Sequence, residues 1–215
     1  SLDGTEPLHD YNRRRADGTG TYAGIAANLH RLAGYPAELC LRMCVTDRSV
    51  GIMTDVPARL CEEFRFDIMS FEMLAENECS CAAGLTAPDP LSFAAGVLAA
   101  EGPASDVGVR VVYGPSELVG PRTTSCPLGR GTLMLSPDGG LAACYVDPQR
   151  WKDRGLYLAL GHVDALRGVC VDEERLKAIA ALTASKPRCD RCFCRYTCAG
   201  GCHVDHTPPG CSPEY

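Results

Sequence analysis

Seven of the chain's fourteen cysteines fall in one ordered pattern. Cys126 and Cys144 bracket Gly139 as C-x12-G-x4-C, then Cys189, Cys192, Cys198 and Cys202 follow as C-x2-C-x5-C-x3-C, and Cys211 closes the series. Thiolates gathered in this way are ligands for a soft metal or a metal cluster. C-x2-C gives two ligands from one turn, and Cys198 and Cys202 add two more nearby. One [4Fe–4S] cluster and one structural zinc each take four cysteines, so spacing alone leaves both open. A disulfide framework is the other use of many cysteines, but such frameworks are short, loop-rich chains with little core. Here long amphipathic segments accompany the cysteines, which points to a reducing, cytoplasmic setting.

Two kinds of segment must position these residues. Residues 1 to about 120 alternate helix-like and strand-like stretches. Thr21 to Leu32 reads as a helix, with Ile25, Leu29 and Leu32 at helical spacing and Gly34 just beyond. Leu39 to Thr46 reads as a strand. Asp55 to Phe64 reads as a helix with Asp55 as N-cap and Pro57 in its first turn. Phe66 to Leu74 is a second strand, Pro90 to Ala100 a third helix and Val109 to Tyr113 a third strand. That alternation implies a parallel sheet with right-handed crossovers. From about Pro121 the pattern changes. Thr132–Ser136 and Leu141–Tyr145 flank Pro137-Asp138-Gly139-Gly140, a hairpin whose Asp-Gly and Gly-Gly steps favour positive φ. Asp172 to Ala184 reads as a charged amphipathic helix ended by Lys186-Pro187.

Composition narrows the function classes. The chain has 215 residues, 46% of them hydrophobic and 22% charged, as in an ordinary globular protein of one or two domains. Net charge is −6 with no basic block, so nothing suggests a nucleic-acid surface. No stretch has the apolar length of a membrane span, and no signal peptide is legible. The opening Ser1-Leu2-Asp3-Gly4 lacks an initiator Met, and the expectation is a chain cut from something longer.

The segment Cys126–Cys211 resembles the SPASM domain, the cluster-bearing C-terminal extension of many radical S-adenosylmethionine enzymes, whose pattern C-x9–15-G-x4-C, C-x2-C-x5-C-x3-C and final C is met at every element. Arg195 to His203, RYTCAGGCH, is similar to members that modify peptides. The resemblance implies two auxiliary [4Fe–4S] clusters, the first on Cys126, Cys144 and Cys202, the second on Cys189, Cys192, Cys198 and Cys211. The first then lacks one cysteine ligand. Cys194, His203 and His206 are candidates for it, against the plainer assignment of the histidines to packing and of Cys194 to a spare buried thiol. Of the remaining cysteines, Cys40 and Cys44 form a C-x3-C whose C-x3-C-x2-C continuation meets Asp47 instead, on a strand and not a loop. Cys44 and Cys61 are expected in the core, and Cys79-Ser80-Cys81 in a loop.

The first part of the chain resembles the middle of the radical S-adenosylmethionine barrel. Ser1-Leu2-Asp3-Gly4, His9-Asp10 with Arg13, and Gly18-Thr19-Gly20-Thr21-Tyr22 match its S-L-D-G, H-D-x-x-R and G-x-G-[ST]-aromatic elements. The resemblance implies that Ser1 and Arg13 contact S-adenosylmethionine, a guanidinium being able to clamp a carboxylate through two parallel hydrogen bonds. Asp3 and Gly4 shape the exit from strand to loop. The C-x3-C-x2-C loop that binds the S-adenosylmethionine-cleaving cluster does not occur in this chain, and a half barrel leaves a parallel edge that a further segment must cover. The expected fold is therefore α/β: the C-terminal part of a partial (β/α) barrel over residues 1–120, then a small α+β iron–sulfur SPASM domain over 121–215. The expected function is maturation of a ribosomally made peptide as part of a longer radical S-adenosylmethionine enzyme. Its partners would be a peptide or protein substrate and a reductant such as ferredoxin or flavodoxin. A non-catalytic electron-transfer or partner subunit and a sulfatase-maturase-like enzyme are the alternatives. Relatives that mature sulfatases carry an Asp base directly after the cysteine equivalent to Cys144, where this chain has Tyr145, with Asp147 two residues on.

Overall fold

In the strand β1, Cys40–Val45, buried and open residues alternate, because successive side chains of a strand point to opposite faces. Leu41, Met43 and Val45 are the buried set. They pair in parallel register with β2, Ile68–Met73, so that Leu41 lies beside Met69 and Met43 beside Phe71. β3, Arg110–Val112, extends the sheet in the order β1-β2-β3. The parallel sheet expected from the sequence is thus present. The structure is a computed structural model and describes residues 1–76, 78–115, 120–182 and 189–206. The chain divides into two compact units, Ser1–Gly114 and Pro115–Tyr215.

In the first unit, helices α1 (Glu6–Asn12) and α2 (Tyr22–Leu32) precede β1. A 3-10 turn (Val50–Ile52) and α3 (Val56–Cys61) lead into β2, and α4 (Glu78–Ala82) and α5 (Pro90–Asp106) into β3. The apolar strand face packs on Ala26 and Leu29 of α2, Val56 and Leu60 of α3, and Phe93, Ala100 and Ala104 of α5 in one core. Gly96 lets α5 approach closely, since a Cβ there would lie 2.7 Å from the Met53 sulfur. Asp89 caps α5, its Oδ2 accepting the Ser92 N–H at 2.8 Å. The helix runs through Pro103 to Asp106, past the expected end at Ala100, because Ala100 and Ala104 are both fully buried against the core. Asp55 occupies the N-cap position of α3 without a side-chain cap bond, since the 3-10 turn has already brought its backbone into the helical region. Ser1–Gly4 lies along the outer edge of β1, with the Leu2 N–H donating to the Arg42 carbonyl at 2.9 Å.

In the second unit, β4 (Met134–Leu135), β5 (Gly140–Ala142), β6 (Ala159–Asp164) and β7 (Gly168–Val171) form an antiparallel sheet in that order. The expected hairpin joins β4 to β5. Gly139, the glycine of the cysteine pattern, takes φ +85° there, and its carbonyl accepts the Val163 N–H at 2.8 Å. α6 (Pro148–Lys152), α7 (Glu173–Leu182), α8 (Arg195–Cys198) and α9 (His203–His206) complete the unit. Its core gathers Leu128, Leu141, Trp151, Leu156, Leu158, Leu160, Ile179 and Val204. The sequence pattern showed α7 but not β6, β7 or α6. The last two residues expected for α7, and Lys186-Pro187 after it, lie outside the described residues. Among the described residues, no helix is long and apolar enough to cross a membrane.

Candidate functional site

The polar half of the first unit is built from the opening residues outward. Asp3 is fully buried. Its carboxylate accepts Arg13 Nε at 2.8 Å and Arg13 Nη2 at 3.2 Å, the Cys44 N–H at 3.0 Å and Asn12 Nδ2 at 3.4 Å. The fork of Arg13 thus closes on a carboxylate of the chain itself. Two of the five guanidinium donors are used in this way, and the side chain remains 35% exposed. Ser1 is exposed at the head of this segment. The Asp3 N–H donates to His9 Nδ1 at 3.0 Å, which puts the ring proton on Nε2, and Nε2 donates to Thr21 Oγ1 at 3.0 Å. The Thr21 hydroxyl passes the chain on to the Arg13 carbonyl at 2.9 Å. His9 is fully buried, and burial is the largest cause holding its pKa below the ordinary value.

The motif Gly18–Tyr22 has a packing reason. Asp10 Oδ1 accepts both the Thr21 and Tyr22 N–H groups at 2.8 Å, capping α2 from the end of α1. A Cβ at position 20 would lie 1.9 Å from Asp10 Oδ2, so only glycine admits this carboxylate. Gly18 takes φ +83° in the tight turn before it.

The sheet face opposite the core carries Arg42 and Cys44 of β1, in register with Ser70 and Glu72 of β2. Ser70 Oγ donates to Glu72 Oε1 at 3.2 Å, and Gly114 leaves room for that carboxylate, since a Cβ there would lie 2.9 Å from it. Cys44 therefore sits on this polar face and not among the core side chains, with Asp3, Arg13, Arg42 and Glu72 around it. Burial, followed by the Asp3 charge, pushes its thiol pKa up. Arg42 in the middle of LCLRMCVT was the sequence signal for such a face, with Ser70 and Glu72 its counterpart in FDIMSFEML. Cys61 does pack on the core. Cys79 and Cys81 are exposed on α4 and not in a loop.

In the second unit, Cys126, Cys144 and Cys202 all pack on one core, although they come from a loop, the end of a hairpin and the start of α9. The Cys144 sulfur faces the N–H groups of Val146 and Tyr145 and lies within electrostatic reach of Cys126 and Asp205. The Cys202 sulfur faces the N–H groups of Asp205 and Val204. Burial dominates both thiols and raises their pKa. Three thiols packed on one apolar core, two of them backed by N–H donors, are of the residue type that a thiolate-bound cluster uses, whose sulfurs accept such bonds. Every described cysteine is a free thiol. Among the described residues, no three His, Cys, Asp or Glu side chains already close around one point.

Cys189 and Cys192 share a turn, with the Cys192 N–H donating to the Cys189 carbonyl at 3.1 Å. Cys198 ends α8, and Ala199 after it takes φ +51°, in the left-handed region, followed by Gly200 at +83° and Gly201 at +61°. Three successive residues of positive φ thus lie between Cys198 and Cys202. Cys211 lies outside the described residues. Cys194 caps α8 with its carbonyl, which accepts the Cys198 N–H at 2.8 Å. His203 is buried. Arg150 Nη2 meets Asp205 Oδ1 at 2.6 Å, a contact the sequence did not announce.

No family model matches the chain, and no curated protein matches it. Solved structures do. The anaerobic sulfatase-maturating enzyme anSMEcpe, carrying a polyhistidine tag and with bound AdoMet, shares the fold with a TM-score of 0.62 at 16% sequence identity, over 99% of this chain and 58% of that one. The chain thus spans under two thirds of that enzyme's length. At this identity the likeness is one of fold.

Proposed function

We propose that this chain is part of a radical S-adenosylmethionine enzyme with a SPASM-type cluster domain, acting on a ribosomally made peptide. The observation that carries the proposal is the gathering of Cys126, Cys144 and Cys202 on one core, with N–H donors at two of the sulfurs. The fold shared with an AdoMet-bound enzyme over 99% of the chain supports it. Cys126, Cys144 and Cys202 would hold one [4Fe–4S] cluster, and Cys189, Cys192, Cys198 and Cys211 the other. Bound S-adenosylmethionine supplies hydrogen-atom abstraction, and the auxiliary clusters supply electron transfer and substrate binding.

The chain's own residues would position these groups. Asp3 orients the Arg13 guanidinium and leaves three N–H donors and an open third of its surface for a carboxylate, with Ser1 beside it. His9 and Thr21 lock the loop that carries Arg13. A peptide or protein is the substrate on this assignment, and a cytoplasmic ferredoxin or flavodoxin the reductant. Sulfatase maturation is the second assignment, favoured by the fold of anSMEcpe. Against it, the residue after Cys144 is Tyr145, 83% exposed, and Asp147 already caps α6 by accepting the Gln149 N–H at 2.7 Å.

Anaerobic reconstitution tests the assignment. Iron with equimolar acid-labile sulfide supports it, whereas stoichiometric zinc without sulfide sinks it. The chain holds no C-x3-C-x2-C, so with dithionite it should form no 5′-deoxyadenosine by itself.

A further inference from the structure

The face of the parallel sheet turned away from the core carries a cation and an anion that do not meet. The strand register sets Arg42 of β1 beside Ser70 of β2, and Cys44 beside Glu72. Arg42 and Glu72 are thus one strand and two residues apart, with Cα atoms about 8 Å from each other. Neither takes an ion pair among the described residues. Arg42 is exposed and Glu72 half-buried. Glu72 is oriented from its own strand, Oε1 accepting the hydroxyl of the buried Ser70 at 3.2 Å. A carboxylate has about four acceptor sites, and one hydroxyl fills one of them. Gly114, just past β3, keeps the space beside Glu72 open, since a Cβ there would lie 2.9 Å from Oε1.

The place in the fold is one that binds ligands. Cys44 and Glu72 are the next-to-last residues of β1 and β2. In open α/β sheets, ligands sit outside the carboxyl ends of the strands. Asp3 joins this face to Arg13, its carboxylate accepting both the Cys44 N–H at 3.0 Å and Arg13 Nε at 2.8 Å. Same-face side chains of an extended peptide stand about 7 Å apart, close to the Arg42–Glu72 spacing. We infer that this face reads the sequence of the substrate peptide, Glu72 taking a basic side chain and Arg42 an acidic one two residues away on an extended segment. The inference rests on the proposed function, which makes a peptide the substrate. Both bonds are charge-assisted, and a half-buried carboxylate makes the stronger of them. A segment with two basic residues would set one of them against Arg42, and that repulsion supplies the discrimination.

The test is an amide NMR titration of the chain with three blocked pentapeptides: acetyl-Gly-Lys-Gly-Glu-Gly-amide and its Lys/Lys and Gln/Gln counterparts. The Ser70 and Glu72 amides should shift with the Lys/Glu peptide and not with the Gln/Gln one. Glu72→Gln should weaken that binding about tenfold. Arg42→Glu should turn the preference to the Lys/Lys peptide, which a merely structural role for Arg42 would not do. Unmoved amides of the core residues Met43 and Phe71 report that each variant is folded. If Glu72→Gln does not fold, Arg42→Glu decides alone. Equal shifts with the Gln/Gln peptide, no shift with any peptide, or shifts with AdoMet alone overturn this inference. Iron and sulfide in the reconstituted chain would then still support the proposed function. Stoichiometric zinc without sulfide sinks that function whatever the titration gives.

Discussion

Arg13→Ala is the substitution on which the first unit depends most. It leaves the Asp3 carboxylate, 1% exposed, with only the Cys44 N–H and Asn12 as partners. Removing one member of a buried pair costs about 3–5 kcal/mol, and the surviving bonds to Asp3 place this case at the low end, near 3 kcal/mol. Asp3→Asn strands the other partner instead. Arg13 is 35% exposed, so water takes up the freed guanidinium and the cost falls to about 1–2 kcal/mol. The asymmetry follows from burial alone. In the double variant no unpaired buried charge remains, so its cost should fall below the sum of the singles by about 2 kcal/mol. The assay is urea-dependent hydrogen exchange of β1 peptides, because the Cys44 amide is one of the bonds at stake. Arg13→Ala should raise the opening equilibrium about a hundredfold. Strictly additive costs, or an Arg13→Ala effect below about 1 kcal/mol, would refute the reasoning. The same result would mean that Arg13 is free to serve a ligand with no structural duty.

Three further outcomes are expected. His9 has its pKa lowered by burial from 6.5, so well above pH 6.5 it is uncharged in both folded and unfolded chains. As pH falls below 6.5 the unfolded chain binds the proton first, and stability declines until the lowered folded value is passed. Urea midpoints between about pH 7.5 and about pH 5 should therefore fall more for the wild type than for His9→Gln. Gly20→Ala should displace Asp10 from the Thr21 and Tyr22 N–H groups and cost about 1–2 kcal/mol, a helix cap's worth, read by exchange of α2 amides. Removing iron by anaerobic chelation should loosen the second unit and shift the fluorescence of its single tryptophan, Trp151, to the red, while β1 amides in the first unit keep their protection.

Period-two alternation made β1 and β2 legible, and helical spacing made α2, α5 and α7 legible, because each buries a continuous apolar face. The Asp-Gly turn made the β4–β5 hairpin legible for the same local reason. β6 and β7 were less legible. Buried Leu156, Leu158 and Leu160 alternate with exposed Tyr157 and Ala159 into β6, a signal the sequence did carry, but His162, Val163 and Val169 are exposed, so nothing marks the rest of β6 or β7. α1 was hidden by its polar composition, since it is held by the Asp3, His9 and Asp10 bonds and not by an apolar stripe. At the sites, cysteine spacing named the candidate ligands, and the S-L-D-G and H-D-x-x-R elements named Asp3, His9, Asp10 and Arg13. Spacing could not show that Arg13 closes on Asp3, or that Arg150 meets Asp205. The first depends on how the loop folds back over ten residues and the second spans 55, and neither leaves a periodic mark in the sequence.

On the proposed function, the seven cysteines divide three and four between two iron–sulfur clusters. Total iron and acid-labile sulfide in the anaerobically reconstituted wild type and in the Cys144→Ser/Cys202→Ser variant test it most directly. About eight irons per wild-type chain and about four in the variant are expected, the latter with Mössbauer parameters of one intact four-thiolate cluster. Zinc in place of iron, or a variant that keeps all its iron, would contradict it.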